Sequence, residues 1–182
     1  MTAASFPDAQ AVAAALEAHG ALLLANDGTE LTVAELWPPN PVAAPLLRIP
    51  LGFGVTGLVA RNGQPALLAE DSPRNPVHRR VLGLAEGERI TRLCLPAVGV
   101  AGVVAGVLAV HRSPDRPFTT ADLARAEPIA GLLGLQLHAQ QLWSTVHRHR
   151  SERDRLIEAA ISAQEAERRR ICLLYTSDAA DE

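Results

Sequence analysis

The sequence predicts an α+β protein in which several short strands precede one long helix. Three observations lead to this prediction. Residues 93–110 form a charge-free apolar run with glycines near its middle. Shorter apolar runs upstream are separated by Asp-Gly, Asn-Gly and proline-rich turn signals. Residues 118–171 then follow a helical pattern with a single internal proline, Pro128.

Composition narrows the class of protein. Of the 182 residues, 48% are hydrophobic and 20% are charged, which is enough to bury a core and excludes wholesale disorder. The 17 basic residues are all arginine and face 20 acidic ones, so we expect no nucleic-acid partner. Two cysteines cannot form a secreted disulfide framework, and no signal-peptide pattern opens the chain. We therefore expect a cytoplasmic protein.

The first half of the chain predicts one helix and three strands. The alanine-rich segment 9–19 predicts a helix with Asp8 as its N-cap and Gly20 as its stop. Asp27-Gly28 is a hairpin turn signal between two apolar runs, because glycine accepts a positive φ. Four prolines mark a loop at 38–45. The three predicted strands are 21–25, 31–36 and 46–51.

A glycine turn and a long polar excursion come next. Gly52 and Gly54 permit a tight turn, after which residues 55–61 predict a short helix and 66–69 a strand. The polar stretch 70–92 contains one predicted helix at 77–84. Long connections in compact domains often carry function.

The apolar run 93–110 has two interpretations. Its length satisfies the rule for a membrane-spanning helix, and Gly102 and Gly106 have a spacing that packs membrane helices. However, Pro96 and the glycines weaken a helix, and valine dominates the run. Two buried strands joined by a turn at 99–102 are favoured over a membrane span.

After a predicted turn at 111–117, the last helix begins near Phe118. Thr119 or Thr120 can cap it, and Asp122 lies in the first turn, where the helix dipole favours a carboxylate. Further along, apolar residues fit a heptad seam that His149 and Arg153 interrupt. We therefore expect a homodimer formed through a coiled coil of the C-terminal helix. The seam residues are Leu142, Val146, Leu156, Ala160 and Ala163.

Two parts of the chain resemble a GAF domain. One is the hairpin from Arg92 followed by Pro-Phe-Thr-Thr-Ala-Asp-Leu at 117–123, and the other is the glycine turn, short helix and strand of 54–65. The resemblance covers residues 8–142. It implies a GAF-like six-stranded antiparallel sheet with helices on one face and a ligand pocket on the other. It also decides in favour of the hairpin and against a membrane span.

A second resemblance covers residues 153–171. Glu165–Ile171 is similar to the opening of the dimerisation helix in one class of bacterial sensor histidine kinases, where the phospho-accepting histidine follows a few residues later. Here Thr176 lies near that place, so the phospho-acceptor and the ATP-binding domain are expected to be absent. The resemblance implies a full-length parent that uses ATP and Mg²⁺ and passes phosphate to a response regulator.

The sequence also permits a GAF-like module that regulates something other than a kinase. A GAF module can also regulate a DNA-binding transcriptional activator, or serve as a dimerisation module with an empty pocket. The chain as written is expected to have no enzymatic activity and no cofactor of its own.

The last eleven residues, 172–182, differ in composition from the arginine-rich helix before them. The string resembles the translation of a sequencing-library adapter, so we expect a non-native tail. Without it, acidic and basic residues are equal in number and Cys94 is the single native cysteine. The predicted divisions are a sensory domain at 1–142, a helical linker at 143–171 and the tail at 172–182.

The candidate ligand site is the polar excursion and the strand after it, where clustered arginines could meet an anionic small molecule. The competing interpretation is a solvated loop whose arginines pair with Glu70, Asp71, Glu86 and Glu88. The candidate ligand-binding residues are Arg74, Asn75, His78, Arg79, Arg89, Arg92 and Cys94.

Known GAF chemistries fit the sequence poorly. Cys94 precedes leucine rather than the histidine that often accompanies the chromophore cysteine of bilin-binding relatives, and a sulfoxide-reducing relative needs a second thiol. The nucleotide-binding signature is matched only in part, by His111-Arg112, Phe118 and Asp122-Leu123. His78 is the candidate axial ligand of a haem. No catalytic residues and no metal pair are predicted, since His147 and His149 face different sides of a helix.

Overall fold

The computed structural model describes the backbone of residues 8–178 and the side chains of residues 8–169. Its four helices are α1 (Ala9–Ala15), α2 (Gly54–Asn62), α3 (Pro76–Val81) and α4 (Thr120–Asp178). Its six strands are β1 (Gly20–Asn26), β2 (Glu30–Trp37), β3 (Arg48–Pro50), β4 (Ala66–Asp71), β5 (Ile90–Val98) and β6 (Val104–Arg112). The chain divides after Ala139 into a sheet-containing unit and a helical unit.

The strands form one antiparallel sheet in the order β3-β2-β1-β6-β5-β4. This confirms the predicted α+β class, the six-stranded antiparallel sheet and the long C-terminal helix. One detail differs, because helices lie against both faces of the sheet. The face expected to carry only the pocket also carries α2 and α3.

The first face of the sheet packs against α1 and the beginning of α4. Leu23, Leu95 and Val110 point to this side from β1, β5 and β6, and they meet Leu16 and Leu133. The helix comes so close to β5 that a Cβ on Gly134 would collide with the backbone of Val98. This layer therefore joins the central strands directly to α4.

The second face holds a smaller core beneath α2 and α3. Leu22 and Leu24 alternate with their neighbours along β1 to reach this side, as period-two strand geometry requires. They pack with Val59 of α2, Val81 of α3 and Cys94 of β5. This second core supports the elements that surround the pocket.

The charge-free run is the hairpin β5–β6. Residues 100–102 form a tight 3-10 turn, in which Ala101 has φ 58° and Gly102 has φ 77°. Strand β5 pairs along its length with β6, from Thr91 opposite Arg112 to Val98 opposite Val104. Among the residues that the structure describes, no helix is both long and apolar enough to cross a bilayer.

Several predicted boundaries were wrong. Helix α1 ends at Ala15 rather than His19, and Gly20 opens β1, where a Cβ would lie 2.8 Å from the Trp37 carbonyl oxygen. Strand β3 is only three residues long, because Pro45 initiates a 3-10 turn at Ala44–Leu46. Helix α3 is shorter than predicted and ends before Gly83, which has a positive φ.

His111 and Arg112 belong to β6 and not to the predicted turn. Both are buried, because strand pairing continues through them and the Arg112 guanidinium donates hydrogen bonds to three carbonyl oxygens. A strand that ends in polar residues has the same sequence pattern as a solvent-exposed loop. For Arg112, carbonyl oxygens of the following turn and of the distant Leu16 replace the water that its guanidinium would otherwise need.

The helical unit consists of the remainder of α4. Side chains 142–169 are all exposed. The exposed set contains large apolar residues: Leu142, Trp143, Val146, Leu156, Ile157 and Ile161. Such a run of apolar residues on one helix is typical of a surface that packs against another helix.

Candidate functional site

A pocket of about 600 Å³ opens on the second face of the sheet. Its volume falls in the usual range for small-molecule sites. Its walls come from β3, the first turn of α2, the end of β4 with the loop after it, α3, and β5. The pocket therefore collects residues from segments that are far apart in sequence.

Local sequence signals position these walls. Gly57 lets α2 lie against β3, because a Cβ there would be 2.5 Å from the Pro50 carbonyl oxygen. The Asn75 side chain caps α3 by accepting hydrogen bonds from the amides of Val77 and His78. Pro76 fits the first turn, where its missing N–H costs nothing. His78 is thereby held in the first turn of α3, at the pocket wall.

Arg92 forms the polar floor of the pocket. It points to the same face of β5 as Cys94, and its side chain is 5% exposed. Its Nη2 lies 2.9 Å from Asp71 Oδ2, without the alignment of a hydrogen bond. Arg92 Nε and Nη1 are buried and have no hydrogen-bond partner within the described residues. These two nitrogens have almost no accessible surface, so another molecule would reach them only after the guanidinium moves toward the cavity.

His78 is the second buried polar group at the pocket. It is 6% exposed, and its Nε2 has no hydrogen-bond partner among the residues that the structure describes. Burial, together with the charge of Arg92 and the proximity of His111, lowers the pKa of His78 to about 3. Its imidazole is therefore neutral at physiological pH.

The charged lining is mostly basic. Arg48, Arg74 and Arg92 line the pocket, and Asp71 is the one acidic residue among the described lining residues. Arg48 pairs with Glu30 at 3.0 Å, whereas Arg74 is exposed and has no acidic group within 4 Å in residues 8–169. The pocket thus presents more positive than negative charge.

The structure brings four of the predicted ligand residues together and leaves three outside. Arg74, Asn75, His78 and Arg92 line the pocket. Arg79 bonds instead to Ser72 Oγ and to the carbonyls of Ala85 and Glu88, and Arg89 pairs with Glu70 at the surface. Cys94 is fully buried in the second core and does not line the pocket, and burial raises the pKa of its thiol.

Sequence reasoning missed several lining residues. They include Arg48, Asp71, the exposed Phe53 and the start of α2, namely Gly54, Val55 and Thr56. The signal that could have identified the α2 residues is the glycine turn itself, because backbone amides at a helix start commonly contact ligands.

A second polar cluster joins the sheet to α4. Arg112 Nη2 donates to Asp122 Oδ2 at 2.9 Å, and the guanidinium lies 4.1 Å from the centre of the Phe118 ring. Thr119 and Asp122 cap each other reciprocally at the first turn of α4. Burial acts to raise the pKa of Asp122, but the Thr119 hydrogen bonds and the Arg112 charge lower it. The partial nucleotide signature therefore has a structural role here.

A third contact lies at the other end of the hairpin. The amide of Val100, in the β5–β6 turn, donates to Nδ1 of His138 in α4 at 3.0 Å. Gly99 leaves room for this imidazole, since a Cβ there would be 2.5 Å from His138 Nδ1. Strands β5 and β6 are thus attached to α4 at both ends. Within residues 8–169, no cluster of three or more His, Cys, Asp or Glu side chains could hold a metal ion.

The fold and pocket define a small α+β domain with a cavity on one face of its antiparallel sheet. The GAF domain family model matches residues 9–138, so the chain belongs to the GAF domain family. No curated protein matches the chain.

Solved structures show the same fold. The GAF domain of a phosphoenolpyruvate-protein phosphotransferase from Coxiella burnetii is 23% identical, with a TM-score of 0.62 over 79% of this chain and 89% of that one. The second GAF domain of DevS from Mycobacterium smegmatis is 24% identical, with a TM-score of 0.57 over 78% and 93%. A GAF domain/HD domain protein from Geobacter sulfurreducens is 17% identical, with a TM-score of 0.58 over 74% and 89%.

Proposed function

We propose that this chain is the ligand-sensing part of a cytoplasmic bacterial two-component sensor histidine kinase. The observation that supports ligand sensing most strongly is the pocket, whose floor holds the buried, unpartnered donors of Arg92 beside a neutral His78. Buried donors without partners are costly, and a bound molecule would satisfy them.

In this proposal, ligand binding in the pocket would affect α4 through the single strand β5. On β5, Arg92 faces the pocket, whereas Leu93 and Leu95 point to the opposite face of the sheet. There they pack in the core that includes Leu133 and Leu137 of α4. A ligand that prefers one position of β5 therefore favours one position of the first turns of α4. A ligand with equal affinity for both positions would transmit nothing.

Dimerisation supplies the output in this proposal. The exposed apolar residues of α4, including Leu142, Val146 and Leu156, would form a coiled-coil seam with a second copy. Rotation or a register shift of the paired helices would then reach the kinase core. ATP and Mg²⁺ would be bound by a catalytic domain of the full-length protein, and phosphate would pass to a response regulator.

The kinase assignment depends on Glu165–Ile171 and is tested by the coding sequence beyond Ile171. A continuation of the type Ala-Arg-x-Leu-His-Asp supports a kinase, whereas a helix-turn-helix there would instead support a DNA-binding activator. At the protein level, the present chain should incorporate no phosphate from ATP. A longer chain carrying the histidine and the ATP-binding domain should label itself, and loss of that labelling on His→Gln substitution would confirm the acceptor.

A further inference from the structure

Resting on the proposed ligand-sensing function, we propose that the pocket selects a small organic anion. Its carboxylate or phosphate group would accept hydrogen bonds from Arg92 and from the first turn of α2, and its remainder would contact the apolar wall. Carboxylates and phosphates are both oxyanions. Each carries negative charge and several hydrogen-bond acceptor oxygens, and neither needs to donate a hydrogen bond.

The first argument is the state of the Arg92 guanidinium. It is almost completely buried, yet Nε and Nη1 have no hydrogen-bond partner within the described chain. Asp71, its one counter-charge within 4 Å among the described residues, has a side chain that is 17% exposed and approaches only Nη2. A planar guanidinium matches the geometry of carboxylate and phosphate oxygens.

The second argument is the N-terminus of α2. This nine-residue helix begins after Phe53 without any side-chain cap, and its first residues, Gly54–Thr56, line the pocket. The amides of a first helical turn have no acceptor within the helix, and the helix dipole favours negative charge there. The helix start and Arg92 thus offer donors from two walls of one cavity.

The third argument is the balance of charge and polarity. A cationic ligand would meet Arg74 and Arg92 with only Asp71 to attract it. The neutral His78 imidazole does not repel a cation or an anion, and its Nε2 can bond to a further polar group of the ligand. Ile49, Pro50, Phe53 and Val55 give the pocket an apolar side for the carbon skeleton.

The test follows the Arg92 Nε–H resonance in the full chain by nitrogen-15 NMR. Matched pairs of compounds are titrated at constant ionic strength: succinate against succinamide, and glycerol 3-phosphate against glycerol, with sodium chloride as the ionic reference. We expect saturable shifts at Arg92 Nε–H and at the amides of Gly54–Thr56 with an anion of at least one pair. The neutral partner and chloride should produce none.

Three variants distinguish specific recognition of the anion by Arg92 from general electrostatic attraction to the basic pocket. Arg92→Lys keeps the charge next to Asp71 but removes the fork of donors, so anion affinity should fall about tenfold or more. Arg74 lies on an exposed loop, so Arg74→Gln should weaken anion binding by a smaller factor. This second variant keeps the proposal testable if Arg92→Lys does not fold. Arg89→Gln removes an arginine outside the pocket and should leave affinity unchanged.

Three outcomes would overturn the inference: equal shifts with both members of each pair, no shift at Arg92 with any anion at tens of millimolar, or unchanged affinity in both Arg92→Lys and Arg74→Gln. Neutral compounds that shift the pocket resonances would refute only the anion preference and leave ligand sensing in place. If neither charged nor neutral compounds shift any pocket resonance, the sensing proposal fails as well. The carboxylate and phosphate pairs show which oxyanion is preferred.

Discussion

Arg112 of β6 and Asp122 of α4 form a buried ion pair, with Nη2 and Oδ2 separated by 2.9 Å. The same guanidinium donates to the carbonyls of Leu16, Arg116 and Pro117. The Arg112 side chain therefore connects the C-cap residue of α1, the turn that leads into α4 and the last strand of the sheet. The position where α4 leaves the sheet is fixed by polar contacts as well as by packing.

Replacing Asp122 with alanine should destabilise the domain. The change leaves the Arg112 charge buried without its acidic partner and removes the reciprocal cap with Thr119. We expect a loss of about 2–4 kcal/mol in the free energy of unfolding, measured by urea denaturation. Asp115→Ala is the control, because Asp115 is exposed and should change stability by less than about 0.5 kcal/mol. Similar values for the two variants would show that the pair is not stabilising.

Two glycines of α4 should respond in opposite ways to alanine. A Cβ on Gly134 would collide with the backbone of Val98, whereas a Cβ on Gly131 would meet nothing within 4 Å. Gly134→Ala should therefore displace the helix and lower the melting temperature. Gly131→Ala should raise stability by up to about 1 kcal/mol through helix propensity. Destabilisation by Gly131→Ala, or tolerance of Gly134→Ala, would contradict the packing of α4 on β5.

The domain should lose stability as the pH falls below neutral. Burial is the main cause that lowers the pKa of His78 to about 3 and that of His111 to about 4, from 6.5. Below pH 6.5 the unfolded chain binds protons that the folded chain excludes, so stability is full above this value and decreases below it. The slope should approach about 1.4 kcal/mol per pH unit for each histidine.

The histidine contribution can be isolated by substitution. Urea denaturation of His78→Gln across the same pH range should give a shallower slope than the wild type. His149→Gln, at an exposed position of α4, should keep the wild-type slope. A wild-type stability that is constant between neutral pH and about pH 4 would contradict the burial of both imidazoles.

Cys94 should be unreactive in the folded protein. It is fully buried, and burial raises the pKa of its thiol, so little thiolate is available to react. In a Cys172→Ser background, labelling of Cys94 by a thiol reagent should follow only the unfolding or opening of the domain. Rapid labelling without denaturant would show that the second core is accessible, as it would have to be for a covalently bound chromophore.

The elements with strong local signals could be predicted from the sequence. The hairpin of 93–110 followed from Pro96 and the central glycines, and α2 followed from the glycine turn before it. The ends of β6 could not be predicted, because the partners that let Arg112 be buried lie both in the turn after it and as far away as Leu16. Polar residues carry no local sign that distant carbonyls will satisfy them.

The candidate site shows the same limit. Arg74, Arg79, Arg89 and Arg92 look alike in sequence, yet only Arg74 and Arg92 line the pocket. The difference for Arg92 is strand alternation, since it shares a face with Cys94 while Leu93 faces the other core. Arg79 instead donates hydrogen bonds to two carbonyl oxygens of the loop that follows α3. These bonds require a particular turn geometry, which the amino-acid composition of the loop does not reveal.

The central claim is that the pocket on the second sheet face binds a small molecule through Arg92. A thermal-shift screen of small metabolites, run in parallel on the wild type, Arg92→Lys and Arg89→Gln, tests it most directly. We predict at least one compound that raises the melting temperature of the wild type and of Arg89→Gln but not that of Arg92→Lys. A screen in which no compound stabilises the wild type, or in which every stabilising compound acts equally on Arg92→Lys, would contradict the claim.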